Sequence, residues 1–105
     1  MVKEVWELEI TPTSDWKQVY DWLVKCAQAA RKREFVVDAY GLRSDTGDAK
    51  AFRTAYFVLT FKTLEDRHAY YRQPWNEEQK ALVRDNDERK YMAGLGGHWY
   101  FEVYA

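Results

Sequence analysis

The chain is 105 residues long, 47% hydrophobic and 17% aromatic, with a formal net charge of −1. It has room for a single domain, 1–105; it is too apolar to stay disordered; and it carries no broad basic field to attract nucleic acid or an acidic membrane. Its lone cysteine, Cys26, excludes an intramolecular disulfide and a CxxC metal site. With no apolar leader at residues 1–4 and no run long enough to cross a bilayer, a reducing, cytoplasmic location is expected.

Residues 4–10 alternate, Trp6, Leu8 and Ile10 on one face and Val5, Glu7 and Glu9 on the other, which is the period of a strand. Residues 11–14 break it and offer oxygens to cap a helix. From Asp15 to about Lys32, Trp16, Val19, Tyr20, Leu23, Ala27 and Ala30 form a helical stripe. The basic run at 31–33 complements the helix dipole. Residues 34–42 return to strand, with Phe35, Val37 and Ala39 opposite Val36, Asp38 and Tyr40. A turn is expected at 44–48. A long strand follows at 51–61, with Phe57, Leu59 and Phe61 opposite Tyr56, Val58 and Thr60; together the two strands predict a hairpin. Thr63 can cap the next helix, Pro74 interrupts it, and Asn76 with Gln79 restarts it. Residues 85–90 are a solvated charge run. Gly94, Gly96 and Gly97 mark a bend before the last strand at 99–104, where Trp99, Phe101 and Val103 lie opposite His98, Tyr100, Glu102 and Tyr104.

Strand, helix, strand, strand, helix, strand predicts an α+β chain of the ferredoxin-like βαββαβ type, with a four-stranded antiparallel sheet and two helices on one face. The apolar sets Trp6/Leu8/Ile10, Phe35/Val37/Ala39, Phe57/Leu59/Phe61 and Trp99/Phe101/Val103 are expected under the helices. The other face would then carry Glu7, Glu9, Asp38, Tyr40, Tyr56, Val58, Thr60, His98, Tyr100, Glu102 and Tyr104. That is too aromatic for a plain wet surface. Either it is the solvated side of an antiparallel sheet, or two sheets pack face to face around a polar, tyrosine-lined cavity.

The segment Phe61-Lys62-Thr63-Leu64-Glu65-Asp66-Arg67, then Tyr70 and Pro74-Trp75, with the opening Val5-Trp6-Glu7-Leu8, resembles the NIPSNAP-type domain. That group sits in the dimeric α/β-barrel superfamily alongside antibiotic-biosynthesis-type monooxygenases. The resemblance implies a homodimer through the sheet face, its two sheets closing a barrel, and it implies no single chemistry. The haem-degrading branch of the superfamily places a Trp at the end of the third strand and a haem-ligating His in the helical region that follows. Here Phe61 stands at the strand position and 76–91 holds no histidine, so haem degradation is not expected.

His98 and Glu102 lie roughly 13 Å apart along one strand and cannot bond directly. Each could pair across to a neighbour, Glu7 above all. A His–carboxylate pair could act as general base, with Tyr56 or Tyr100 polarising a carbonyl; the alternative is a structural hydrogen-bond network. The expected site is therefore His98, Glu7 and Glu102 as catalytic groups, with Tyr40, Tyr56, Tyr100, Asp38 and Tyr104 around a ligand, and no metal or cofactor. His68 reads as a helix-surface residue and Cys26 as a small core residue. One functional expectation is a small-molecule binder or cofactor-independent monooxygenase- or cyclase-like enzyme acting on an aromatic or polyketide-like ligand. The other is a non-catalytic homodimeric interaction module. Neither involves nucleic acid or a membrane.

Overall fold

The computed structural model describes residues 1–43 and 54–104. Strand β1 (Val2–Ile10) leads to helix α1 (Trp16–Arg31), strands β2 (Val36–Arg43) and β3 (Thr54–Phe61), helices α2 (Leu64–Arg72) and α3 (Glu77–Asp85), a short 3-10 turn at Asp87–Arg89, and strand β4 (Met92–Glu102). All strand pairs are antiparallel, in one sheet ordered β2-β3-β1-β4. This is the ferredoxin-like arrangement, with its second helix divided into α2 and α3. No helix among the described residues is long and apolar enough to cross a membrane. The expected turn at 44–48, and the 51–53 end of the expected third strand, lie outside the described residues.

The helix starts follow local chemistry. Thr63 caps α2 by accepting from the Asp66 amide, and Asn76 and Gln79 form a reciprocal capping box on α3. Gln73 ends α2 just ahead of Pro74. At α1 the cap is Asp15, which accepts from the Lys17 amide. The hydroxyls of Thr11 and Ser14, expected to cap this helix, donate instead to the carbonyls of Arg89 and Lys90 and tie the β1–α1 connection to the start of β4.

Directly opposed residues on antiparallel strands share a face. Trp6 opposes Phe57 on one side and His98 on the other; Glu4 opposes Leu59 and Tyr100. Helix α1 packs Val19, Leu23, Ala27 and Ala30 onto this face, and Tyr70 and Tyr91 complete the core. The basic run after α1 also does more than balance a dipole. Arg33 is only 8% exposed. It donates to the Tyr70 carbonyl and to Gln79 Oε1, both at 2.9 Å, fastening α1 to α2 and α3.

Two face assignments differ from the sequence pattern, both at one-residue irregularities in strand pairing. Between Val36 and Asp38 the β2–β3 register shifts, so Val37 turns outward and is exposed while Phe35 and Val36 pack on the core. In β4, Glu7 opposes Gly97 but Leu8 opposes Leu95, leaving Gly96 as the extra residue of a bulge. A regular ladder running on from Leu95 would have put Trp99 and Phe101 on the helix face. The extra residue inverts everything after it, so His98, Tyr100 and Glu102 point toward the helix side while Trp99 and Phe101 point away. The expected bend at 94–97 is thus part of β4 itself. At Gly96 a Cβ would lie 2.8 Å from the Glu7 carboxylate, so the Glu7 side chain packs against the bulge.

Candidate functional site

The inversion of β4 gathers a polar cluster on the helix-facing side of the sheet. At its centre is Glu4, whose side chain is fully buried. An isolated buried carboxylate is costly, so it needs donors from every side. Arg67 of α2 donates through Nε and Nη2 to Oε2, at 3.0 and 2.6 Å. His98 Nε2 meets the same oxygen at 2.6 Å, and the Tyr71 hydroxyl donates to Oε1. Arg67 and Tyr71 stand one helical turn apart on α2, a spacing that aims both at the same point.

The arrangement fixes the histidine tautomer. The carboxylate can only accept, so Nε2 carries the proton and donates. Trp6 stacks flat on the imidazole, ring centroids 3.6 Å apart and planes 13° apart, which holds the ring's orientation. Among the described residues no group hydrogen-bonds Nδ1. The side chain of His98 is 31% exposed. Tyr100 lies alongside, its ring 4.3 Å under the Arg67 guanidinium. Burial first, and then the hydrogen bond to Glu4, push the Tyr71 phenol up, so Tyr71 stays a donor through the ordinary pH range.

Beside the cluster lies a cavity of about 200 Å³ between the sheet and the helices. Trp6, Phe57 and Leu59 form its sheet wall; Trp22, Tyr71 and Trp75 form much of the rest. Trp6 and Tyr71 therefore belong both to the cavity and to the polar cluster. Cys26 also lines it, but burial pushes its thiol up to about 12, with the Asp85 carboxylate adding to the effect. It is no thiolate nucleophile near neutral pH.

The expected site residues divide between two faces. His98, Tyr100 and Glu102 lie on the helix side, and of these His98 and Tyr100 join the cluster. Glu7, Asp38, Tyr40 and Tyr56 lie on the other side. The expected His98–Glu7 pair does not form, because Glu7 opposes Gly97 across the bulge and its carboxylate lies against Gly96. Tyr40 accepts from Lys3 on the open face, Asp38 accepts from the Ala39 amide, and Tyr104 reaches Glu102 past the end of β4. His68 is exposed on α2, as its spacing suggested. Sequence reasoning passed over Glu4, Arg67 and Tyr71. The signal was present for Glu4: it shares the parity of Trp6, Leu8 and Ile10, and a carboxylate on a core face demands partners. Among the described residues no group of three or more His, Cys, Asp or Glu side chains could hold a metal ion.

No protein-family model matches the sequence, and no curated protein matches it significantly. Solved structures do share its fold. A protein from Chloroflexus aurantiacus, named as a candidate antibiotic biosynthesis monooxygenase, superposes with a TM-score of 0.66 at 13% identity, covering 99% of this chain and 93% of that one. Another of the same description, from Deinococcus radiodurans, gives 0.64 at 14%, covering 100% and 94%. A dimeric ferredoxin-like protein of unknown function from Thermobifida fusca gives 0.66 at 13%, covering 97% and 90%. At such identities the likeness is one of fold: this chain has the ferredoxin-like fold found in antibiotic-biosynthesis-monooxygenase-type proteins.

Proposed function

We propose that this chain is a homodimeric, cytoplasmic small-molecule-binding domain that removes a proton from an aromatic ligand without a cofactor, as a monooxygenase- or cyclase-like catalyst would. The observation that carries this is the buried Glu4 carboxylate gripping His98 Nε2, with Trp6, stacked on that imidazole, forming a wall of the aromatic cavity. An engineered apolar cavity of about 150 Å³ holds benzene, so this volume suits a ring of one or two cycles. A ring seated against Trp6 and Trp75 would extend an acidic O–H or C–H past the indole edge to His98 Nδ1. That nitrogen takes the proton, the ligand keeps the electron pair as phenolate or enolate, and the Glu4 carboxylate stabilises the resulting imidazolium. Tyr100 lies beside the imidazole, ring centroids 6.0 Å apart. The dimeric part of the reading rests on the stripe of Trp99, Phe101 and Val103, all exposed on the open sheet face, beside which Glu7, Asp38, Tyr40 and Tyr56 would line the interface.

para-Nitrophenol tests the site, because its ionisation is visible in its absorbance and one ring fits the cavity. Bound to the native chain it is expected to show phenolate absorbance at a pH where the free phenol is neutral. His98→Gln should keep the binding and lose the spectral shift; Leu82→Trp, which fills the cavity, should lose both. A bound spectrum unchanged by His98→Gln would make this histidine structural.

A further inference from the structure

We propose that the cleft between α1 and β2 is a second ligand site, taking a small organic anion with an aromatic body. It is larger than the aromatic cavity, about 450 Å³, within the usual range for small-molecule sites. It also lies at the β2 edge of the sheet, with β3 and β1 between it and the β4 edge that carries His98. Its floor is apolar, formed by Leu23, Ala27 and Ala55. Its rim carries Lys17, Arg31 and Arg43, and among the described residues no acidic side chain lines it. For a chain whose net charge is −1, three cations around one cleft are a local concentration rather than a general field.

The groups are held in place for an anion. The Arg43 guanidinium lies 4.2 Å from the centre of the Trp16 ring, a stack that fixes its plane and leaves its edge of N–H donors for a carboxylate or sulfonate. Arg31 is anchored through Nη1 to the Ala39 carbonyl at 2.8 Å. Tyr20 supplies a flat wall that suits an aromatic body.

Anilinonaphthalene sulfonate is the probe, titrated into the intact chain by fluorescence and followed by the indole N–H signals. It is expected to bind with movement of the Trp16 signal, to weaken roughly tenfold in the Lys17→Gln/Arg43→Gln double variant, as loss of charge-assisted bonds implies, and to weaken with added salt. Leu82→Trp, which blocks only the aromatic cavity, should leave it unchanged. Both rim residues are exposed, so the double variant is expected to fold normally, as amide spectra would verify. Affinity unaltered in the double variant, loss of binding in Leu82→Trp, or movement confined to Trp99 on the open face would each overturn the proposal.

Discussion

Glu4 and His98 stand 94 positions apart in the chain and meet at 2.6 Å, on neighbouring strands whose pairing places Trp6, not Glu4, directly opposite the histidine. The contact is diagonal. It leaves Trp6 free to stack on the imidazole while the carboxylate reaches past it. Charge, orientation and stacking thus converge on one ring without competing for the same atoms.

Glu4→Gln tests how far the fold depends on this contact. The substitution keeps the shape and removes the charge that Arg67 and His98 face. Breaking a buried pair by neutralising one partner costs about 3–5 kcal/mol, and the low end is expected because the Arg67 side chain keeps some contact with water. The urea midpoint reports it. A midpoint within error of the native chain would mean that the cluster contributes no stability.

Alkaline pH should weaken the fold through Tyr71 and Cys26. Both are raised in the folded chain, Cys26 from 9.0 to about 12 and Tyr71 upward from 10.0. Between the unfolded and folded values the unfolded chain gives up a proton that the folded chain retains. Stability is therefore full below about pH 9 and falls as pH rises beyond it. Denaturation series on either side of that pH should show the decline, and Tyr71→Phe with Cys26→Ala should flatten it. A native chain equally stable at both ends would contradict the reading.

Arg33 and Lys32 are neighbours with opposite expected weights. Arg33 is buried, lies 4.0 Å over the Tyr70 ring and satisfies the Tyr70 carbonyl. Arg33→Leu should cost about 2–3 kcal/mol by removing the charge-assisted bonds to the Tyr70 carbonyl and Gln79 Oε1, although the Gln73 amide still reaches that carbonyl. Lys32 pairs with Glu78 at 2.6 Å, but both side chains are more than half exposed, 62% and 52%. Lys32→Ala should therefore change stability by about 0.5 kcal/mol or less. Equal effects in thermal unfolding would show that burial does not separate them.

The open sheet face predicts an assembly. Trp99 and Phe101 are 45% and 54% exposed on one protomer, an unusual pair of large apolar side chains to leave in water. Sedimentation should find the native chain dimeric at micromolar concentration. Trp99→Glu with Phe101→Glu should sediment as a folded monomer, since neither residue supports the helix-side core. A native monomer would remove this part of the proposed function.

The sequence by itself determined the order of elements, the stripe of α1, the capping of α2 and α3, the break at Pro74, and the inward set of β1 and β3. These follow from properties local to a segment: the period of apolar residues, the oxygens that cap a helix, the missing amide of proline. Tertiary structure alone decided which way β4 faces. Both parities of 98–104 are aromatic, so alternation shows a strand without saying which side is in. The answer hangs on two extra residues in β4, Ala93 and Gly96, whose places are set by pairing with a strand some ninety positions away. That register carried Trp99 and Phe101 out to the open face and brought His98 to Glu4. The buried carboxylate, visible as Glu4 in step with Trp6, signalled in advance that something had to meet it; the ladder register determined that the partner was His98.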